Sequence, residues 1–271
     1  MNGYGPRVRL IAAVLLLGSA TAFAETPGEK VPQVLDTQGV AIEVPDPTPT
    51  GFLIAWKPAL LSVRVDAGSG SKFGSDAVQP LRGLLRYTTR IPGEKPFFAR
   101  FELEGGRFET ENQGLGSTGT DFSGRVLFGA ATRITAGMVL IASAGLLTRY
   151  EVGRSQTGAP RIGVFGVDSN IELDYRIAPN ITVSGYLEGA ITPFPYLAQS
   201  NLGDLSDADQ VRFRLQLSLD ITRTTSMYFG YDFTRWHAAF TNSTILNTVD
   251  HGLLVESREH AATLGLRFKM R

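Results

Sequence analysis

Few residues of this chain have the chemistry needed for catalysis. Its 271 residues include three histidines, His237, His251 and His260, and no cysteine. Without cysteine there is no thiol nucleophile, no thiolate metal site and no disulfide. General acid–base chemistry needs a histidine near a nucleophile or a carboxylate, and Asp250–His251 is an adjacent acid–histidine pair in the last long loop. Because neighbouring side chains point to opposite sides of an extended chain, this pair alone does not predict a site.

No other motif points to a reaction or a bound cofactor. The sequence contains no metal-ligand spacing, no P-loop and no dinucleotide-binding fingerprint. The glycines of 68–70 and 114–116 belong to connections between strands, where glycine is common. We therefore predict no catalytic, cofactor-binding or metal-binding residues, and no cofactor.

The charged residues of the chain lie mainly on predicted β-strands. Residues 211–221 read V-R-F-R-L-Q-L-S-L-D-I, apolar at every odd position and polar at every even one. A helix would place its apolar residues three and four apart, so this period of two predicts a strand with one polar and one apolar face. Similar alternation recurs in nine further segments: 59–66, 81–91, 97–107, 121–130, 135–150, 162–177, 181–191, 226–236 and 257–268.

The connections between these ten strands alternate in length. The short ones are 92–96, 131–134, 178–180 and 222–225. The long ones are 67–80, 108–120, 151–161, 192–209 and 237–256. Outer-membrane barrels have short periplasmic turns and longer surface loops, with an even number of strands. The pattern therefore predicts an all-β, up-and-down antiparallel barrel of about ten strands (roughly 8–12), with both termini periplasmic.

The chain begins with the pattern of a secretory signal peptide. Arg7 and Arg9 precede the short apolar run 10–17, and an Ala-Phe-Ala cleavage site ends at Ala24. A transmembrane helix would need about 20 apolar residues, so the run is too short to span a membrane. We predict that residues 1–24 are removed on export.

The remaining chain divides into two parts. Residues 25–50 contain five of the fourteen prolines and little periodic pattern, which predicts a Pro-rich periplasmic N-terminal tail. Residues 51–271 carry all ten strands and form the predicted barrel. The formal net charge after residue 24 is −2. A nucleic-acid-binding protein usually carries a basic excess, so we predict no nucleic-acid partner.

Over residues 51–271 the chain resembles a small bacterial outer-membrane β-barrel of the up-and-down type. The ending T-L-G-L-R-F at 263–268 is similar to the Phe-terminated signal by which the barrel-assembly machinery recognises its clients, although Lys269, Met270 and Arg271 follow it. The resemblance implies a Gram-negative outer-membrane location and passage through that machinery. It also implies contact with outer-membrane lipid and lipopolysaccharide, and a monomer.

In such a barrel the polar face of each strand points into the lumen. The predicted inward arginines are Arg64, Arg82, Arg86, Arg90, Arg100, Arg125, Arg149, Arg176, Arg212, Arg214 and Arg267. The predicted inward acids are Asp66, Glu102, Glu104, Asp121, Asp168, Glu172, Asp174, Glu188, Asp220, Asp232 and Glu259. Side chains just fill an eight-stranded barrel, so this balanced set predicts a salt-bridged plug. A narrow selective channel is the alternative, because a cluster of like charges attracts a permeant ion.

Some small outer-membrane barrels are hydrolases, so their motifs bear on this chain. Omptin proteases, similar in strand number, combine an Asp–His pair with two acids on early strands, and no such acid pair can be assigned beside Asp250–His251. Outer-membrane lipid A deacylases carry His-x-Ser near the C-terminal strand, whereas His260 is followed by Ala261 and Ala262. The outer-membrane phospholipases have no counterpart here either. We predict that the protein is not an enzyme.

Aromatic residues gather near the predicted strand ends, where they would anchor the barrel at the membrane interfaces. Those near the short turns are Phe97, Phe98, Phe128, Tyr175, Phe229 and Phe268, and those near the long loops are Phe122, Tyr150, Phe165, Phe213, Phe233 and Trp236. Five basic residues lie in or beside the long loops, and each is expected either to pair with a lipopolysaccharide phosphate or to be a solvated charge at the rim: Lys72, Arg107, Arg154, Arg161 and Arg258. The loop 192–209, rich in proline and aromatic residues and then acidic, would cover the mouth or contact a partner.

Together these expectations predict a non-enzymatic outer-membrane barrel with a charge-filled lumen. Its expected role is in envelope structure, in adhesion, or as an accessory to polymer export. A narrow selective channel is the alternative function. A surface hydrolase of the omptin or lipid-deacylase kind is the third.

Overall fold

The computed structural model describes residues 50–66, 72–92, 97–112, 115–153, 162–198, 203–242 and 252–270. Within these ranges the chain forms eleven strands: β1 (Gly51–Trp56), β2 (Ala59–Asp66), β3 (Lys72–Arg90), β4 (Phe97–Asn112), β5 (Leu115–Thr135), β6 (Met138–Gly153), β7 (Ile162–Ala178), β8 (Ile181–Ala198), β9 (Asp204–Asp220), β10 (Thr225–Thr241) and β11 (Leu253–Lys269). In the described part of the chain, no helix has the length and apolar character needed to cross a membrane.

The strands form one antiparallel sheet that closes into a barrel. From β3 to β11, strands that are consecutive in the chain pair with each other. Gly51 of β1 lies opposite both Lys269 of β11 and Thr88 of β3, and β2 makes the same two pairings further along. β1 and β2 are therefore two halves of one wall strand. The wall has ten positions, which confirms the predicted barrel and leaves no open edge.

The first wall strand is interrupted at Lys57 and Pro58. Pro58 has no backbone N–H and cannot donate to a ladder, which favours a break at this point. The backbone remains tied on both sides, because Lys57 N donates to Arg82 O at 2.8 Å and Ala262 N donates to Pro58 O at 3.1 Å. The break turns the side chain of Lys57 into the lumen, where it is fully buried.

The two ends of the barrel differ in their connections. One end, called the turn end below, has four connections: 91–96, 136–137, 179–180 and 221–224. Both ends of the described chain also lie there, because Thr50 Oγ1 donates to Met270 O at 2.9 Å. The opposite end, called the loop end, has five connections: 67–71, 113–114, 154–161, 199–203 and 242–252.

The strands extend further toward the loop end than the alternation predicted. Most of the predicted loop 108–120 is strand, with only 113–114 between β4 and β5. The predicted loop 192–209 is also mostly wall, because β8 continues to Ala198 and β9 begins at Asp204. The short turn predicted at 131–134 lies at 136–137. A ladder satisfies backbone groups whatever the side chains are, so pairing continues where the alternation of side chains fades.

The outer face of the barrel carries a continuous apolar belt. Every wall position contributes exposed large apolar side chains, for example Ile54, Leu85, Phe101, Phe122, Leu146, Leu173, Leu187, Leu215, Phe229 and Leu264. Soluble monomers rarely expose a contiguous apolar patch of this extent. Apolar residues outside and polar residues inside are the pattern of a transmembrane β-barrel, and this protein has that architecture.

Toward the loop end, the polarity of the two faces is reversed. On β2, Leu61 and Val63 are buried inside, whereas Arg64 is exposed outside and pairs with Asp76 at 3.2 Å. The prediction that placed Arg64 and Asp66 in the lumen is therefore wrong. This part of the wall lies beyond the apolar belt, so its outer face meets water and its inner face forms a dry core.

Candidate functional site

The middle of the lumen holds a layer of opposite charges, called the ionic layer below. Its nine basic residues are Lys57, Arg82, Arg86, Arg100, Arg125, Arg149, Arg212, Arg214 and Arg267. Its nine acidic residues are Glu102, Glu104, Asp121, Asp168, Glu172, Asp174, Glu188, Asp232 and Glu259. All except Lys57 were predicted to point inward. Five predicted members are not part of the layer: Arg64 and Asp66 face outward, and Arg90, Arg176 and Asp220 lie at the turn end of the lumen.

Glu104 of β4 joins three basic residues in the loop-end half of the ionic layer. Arg82 Nη2 donates to Glu104 Oε1 at 2.7 Å, and Arg212 Nη2 donates to Glu104 Oε2 at 2.7 Å. Lys57 Nζ also donates to Glu104 Oε1. Lys57 lies 3.4 Å from an oxygen of Asp232 and 3.5 Å from an oxygen of Glu259. This single lysine, supplied by the break between β1 and β2, therefore faces three carboxylates.

The turn-end half of the ionic layer centres on Glu102. Arg86 contacts it through Nε and Nη2, at 2.8 and 2.7 Å, and Arg125 Nη1 donates to it at 3.2 Å. On the other side of this half, Arg100 Nη2 donates to Glu172 Oε2 at 3.0 Å. The charge-assisted contacts of Glu102 join β4 to its two neighbours, β3 and β5, whereas the pair of Arg100 and Glu172 links β4 to β7, which is not its neighbour in the wall.

Neutral polar side chains complete the contacts of Glu188 on β8. Gln210 Nε2 donates to Glu188 Oε1 at 2.6 Å, and Tyr186 Oη donates to Glu188 Oε2 at 2.8 Å. Arg125 Nη2 adds an ion pair at 3.1 Å. A buried charge is costly unless it is both paired and hydrogen-bonded, and Glu188 satisfies both conditions.

One cavity within the ionic layer is small. This cavity lies in the loop-end half of the layer, and Arg82, Arg149 and Glu259 are among the residues that line it. The volume within which the centre of a water molecule fits is about 10 Å³. That volume is about enough for one water molecule. This cavity is therefore not a continuous aqueous path.

An apolar cluster, called the apolar plug below, fills the barrel between the ionic layer and the loop end. Its members are Leu61, Val63, Ile162, Val164, Ala208, Trp236, Ala238, Phe240, Leu253 and Val255. Trp236 is only 2% exposed, so its predicted place at the membrane interface is wrong. The guanidinium of Arg149 lies over its ring at 5.3 Å, which joins the plug to the ionic layer.

A smaller apolar cluster lies toward the turn end. Phe98 packs inside the barrel with Ala131 and Ile141 and is fully buried, so its predicted interfacial place is also wrong. The guanidinium of Arg100 lies 5.3 Å from the centre of the Phe98 ring. The other ten aromatic residues predicted for the interfaces belong to the outward faces of their strands. The lumen is therefore layered, with charges between two apolar groups.

The described histidines lie on the outer wall and not in the lumen. His260 Nδ1 is 2.7 Å from Tyr231 Oη, and its ring packs against Phe233 with a centroid distance of 5.0 Å. His237 Nδ1 is 3.5 Å from Asp209 Oδ2. The predicted Asp250–His251 pair falls outside the described residues.

No metal site is formed by the residues that the structure describes. Among them, no group of three His, Cys, Asp or Glu side chains has an arrangement that could hold a metal ion. The many acids of the lumen face arginines and a lysine instead.

The outer wall near the loop end carries exposed basic residues. Arg107 and Arg258, both predicted to border surface loops, are exposed there, whereas Arg154 and Arg161 fall outside the described residues. Arg258 Nε donates to Glu256 Oε1 at 2.5 Å, and Arg235 contacts both oxygens of Glu256 at 3.2 Å. Although partial burial raises the pKa of Glu256, the hydrogen bonds from Arg258 and Arg235 outweigh this effect and lower it.

Comparison with known proteins finds similar solved structures but no close relative. No family model and no curated protein matches the chain. The outer membrane protease OmpT of Escherichia coli is 11% identical, with a TM-score of 0.44, over 82% of this chain and 98% of OmpT. The outer membrane protein OprG of Pseudomonas aeruginosa is 8% identical, with a TM-score of 0.35, over 83% of this chain and 99% of OprG. The toluene transporter TbuX of Ralstonia pickettii is 10% identical, with a TM-score of 0.35, over 83% of this chain and 92% of TbuX.

Proposed function

We propose that this chain is a non-conducting, non-enzymatic barrel of a Gram-negative outer membrane, with the turn end and both termini in the periplasm. The signal-peptide pattern of residues 1–24 and the apolar belt support the location. The short connections and the chain ends at the turn end support the orientation. We therefore assign its role to the two ends and the outer surface of the barrel. That role is in envelope structure, in adhesion, or as an accessory to polymer export.

The observation that carries this proposal is the double closure of the lumen. A permeating ion would first have to displace Trp236 and Phe240 of the apolar plug, which are 2% and 1% exposed. It would then have to separate the buried pair of Arg212 and Glu104. Leaving one member of such a pair unpartnered costs about 3–5 kcal/mol. Two successive barriers of different chemistry argue against a resting pore.

The charge balance argues in the same direction. A selective pore concentrates charge of one sign along its path. Here nine basic and nine acidic side chains share one layer, and the central ones are paired directly. Such a layer neutralises itself and offers no attraction to a permeant ion of either sign.

Conductance of the purified barrel in a planar lipid bilayer tests the proposal. We expect the folded mature chain to give no stable current steps above the lipid baseline, with a porin inserted in the same way as the positive control. Stable steps whose ion selectivity changes in Arg212→Ala would show that current passes through the ionic layer. That result would overturn the proposal and establish the narrow channel.

A surface hydrolase depends on Asp250–His251, because the described histidines face outward. We expect the His251→Ala variant, expressed in a strain that lacks the protein, to restore every envelope phenotype as fully as the unmodified protein does. Loss of complementation with normal barrel insertion would instead favour the hydrolase.

A further inference from the structure

Two arginines lie directly opposite each other on the outer wall near the loop end. Arg235 of β10 is in register with Arg258 of β11, and both side chains point outward. Like charges in directly opposite positions destabilise a sheet. Glu256 compensates for part of this repulsion, because it accepts from Arg235 Nε and Nη2 at 3.2 Å and from Arg258 Nε at 2.5 Å. We call these three residues the arginine clamp.

The arginine clamp has a surplus of one positive charge. Two guanidinium groups share one carboxylate, and within the described part of the chain the Nη groups of Arg258 make no further polar contact. The side chains of Arg258 and Arg235 are 57% and 40% exposed, whereas that of Glu256 is only 17% exposed. The clamp therefore presents its positive charge to the surroundings more than its negative charge.

The described residues of the neighbouring strands do not neutralise this surplus. Across β9, β10, β11 and β2, the row of directly opposite residues is Val211, Arg235, Arg258 and Ser62. Arg64 and His237 lie opposite Glu256 on its two sides. Each of them has an acid of its own, because Arg64 pairs with Asp76 at 3.2 Å and His237 Nδ1 lies 3.5 Å from Asp209 Oδ2. The clamp is therefore suited to an anion from outside the chain.

The height of the clamp on the wall indicates where such an anion would come from. Phe268 lies at the turn-end edge of the apolar belt, and Arg258 is ten residues away on the same strand. That separation is about 34 Å along a strand and about 26 Å in height for a tilt of about 40°. The apolar band of an outer-membrane barrel is about 25 Å tall. The two guanidinium groups therefore lie where the hydrocarbon ends and the lipid headgroups begin.

An aromatic layer directly below the clamp supports this height. The next row toward the turn end, on the same four strands, is Phe213, Phe233, His260 and Leu60. The rings of Phe233 and His260 are 5.0 Å apart, and His260 Nδ1 is 2.7 Å from Tyr231 Oη. Amphipathic rings such as tyrosine are enriched at the membrane interface. We propose that the arginine clamp binds the phosphate group of a membrane lipid in the leaflet at the loop end.

A lipid phosphate matches the site in both charge and shape. A guanidinium group donates two parallel N–H bonds to phosphate oxygens, which an ammonium group cannot do. The acyl chains of the same lipid would lie on the exposed apolar row that contains Phe213 and Leu60. A free phosphate ion lacks this second contact, so the geometry favours a lipid. With the orientation proposed above, the lipid belongs to the outer leaflet, but the site itself depends neither on that orientation nor on a closed lumen.

Native mass spectrometry of the folded mature barrel in detergent tests the site. Phosphatidic acid is the probe, and diacylglycerol with the same chains is the phosphate-free control. We expect Arg235→Gln with Arg258→Gln to weaken binding of phosphatidic acid by about tenfold or more, the value of a hydrogen bond to a charged group. Arg258→Lys, which keeps the charge without the fork, should give a smaller loss.

Arg107→Gln is the matched control for a general effect of surface charge. Arg107 is exposed on the outer face of β4, and the residues opposite it, Leu81 and Thr120, are uncharged. Its removal should change the affinity for phosphatidic acid by less than about twofold, as expected for an isolated exposed charge. An equal loss in Arg107→Gln and in the double variant would overturn the proposal.

Glu256→Gln gives an effect of opposite sign. It removes the carboxylate that competes with phosphate for both arginines, so we expect the affinity for phosphatidic acid to rise about two- to fivefold, the range of one surface ion pair. The same titration with purified lipopolysaccharide shows which class of lipid supplies the phosphate.

Three results would overturn the proposal. The first is an unchanged affinity in the double variant, with folding checked by tryptophan fluorescence. The second is equally tight binding of diacylglycerol, because apolar contact alone would then explain the lipid. The third is binding of inorganic phosphate as tight as that of phosphatidic acid and equally sensitive to the arginines, because the site would then serve a free anion.

Discussion

Arg212 and Glu104 meet across the full width of the lumen. Arg212 lies on β9 and Glu104 on β4, five positions apart in a wall of ten, and their Nη2 and Oε2 atoms are 2.7 Å apart. The two residues are 108 positions apart in the chain. One ion pair therefore bridges opposite sides of the barrel, because a barrel of this width is near the size that side chains alone can fill.

Removing the charge of Glu104 should weaken the barrel strongly. Glu104→Gln leaves Lys57, Arg82 and Arg212 buried with too few carboxylates, so we expect the free energy of unfolding to fall by about 3–5 kcal/mol. Urea unfolding from lipid vesicles, followed by tryptophan fluorescence, measures this. Asp76→Asn, which breaks the exposed pair with Arg64, is the control and should cost less than about 1 kcal/mol. Equal losses in the two variants would contradict a buried network.

The two tryptophans should report opposite environments. Trp56 is 53% exposed on the apolar belt, whereas Trp236 is 2% exposed in the apolar plug. Brominated lipids should therefore quench the fluorescence of Trp236→Phe, which retains Trp56, and should leave Trp56→Phe nearly unquenched. Strong lipid quenching of Trp56→Phe would mean that Trp236 faces lipid.

Truncation of Trp236 should also destabilise the barrel. Trp236→Ala opens a cavity in the packed plug, and we expect a loss of about 3–5 kcal/mol in the free energy of unfolding. Trp56→Ala is the matched control, because lipid fills the space left on the outer face. We expect Trp236→Ala to remain non-conducting, since the ionic layer is intact. A similar loss in both variants would argue against a packed interior at Trp236.

Glu256 should make stability depend on pH in the acid range. Its folded-state pKa is lowered from the ordinary value of 4.5 by Arg258 and Arg235 despite partial burial, so the ionised form stabilises the fold above that value. The contribution is lost as pH falls through the lowered pKa. Glu256→Gln should cost up to about 1 kcal/mol at pH 7, because the pair is partly exposed, and nothing at pH 2. Unfolding of both chains at the two pH values measures this, and a difference that persists at pH 2 would disprove it.

Two wall glycines should respond differently to the same substitution. A Cβ at Gly145 of β6 would lie 1.9 Å from Val126 O of the neighbouring strand, whereas a Cβ at Gly185 of β8 meets nothing within 4 Å. Gly145→Ala should therefore cost about 1–3 kcal/mol through overpacking. Gly185→Ala should change stability by less than about 0.5 kcal/mol. The same urea titration compares them, and equal values would count against the close approach of β5 and β6.

The sequence by itself determined the number of wall positions and the inward face of most strands. On β9, for example, Arg212 and Phe213 take opposite faces as the alternation predicted. The reason is local, because successive side chains of a strand point to opposite faces of the sheet. Within the apolar belt, the apolar face of each strand contacts lipid and the charged face points into the lumen. The outward belt and the inward charges follow directly from this rule.

Tertiary structure alone decided where apolar side chains point into the barrel and polar side chains point outward. Val63 and Trp236 alternate with polar neighbours as regularly as the belt residues do, yet both point inward. The phase of a strand depends on whether its outer face meets lipid or water, and that depends on its height relative to the belt. Register with neighbouring strands sets this height, and the sequence of one strand does not contain it.

Tertiary structure also decided which charges meet. The balance of the inward charges can be read from the alternation, but the pairing of Arg212 with Glu104 requires barrel closure. Lys57 was missed because it lies in a break, after an apolar segment without alternation. Closure and register place its ammonium among three carboxylates, since only a closed sheet brings the first strand beside the last.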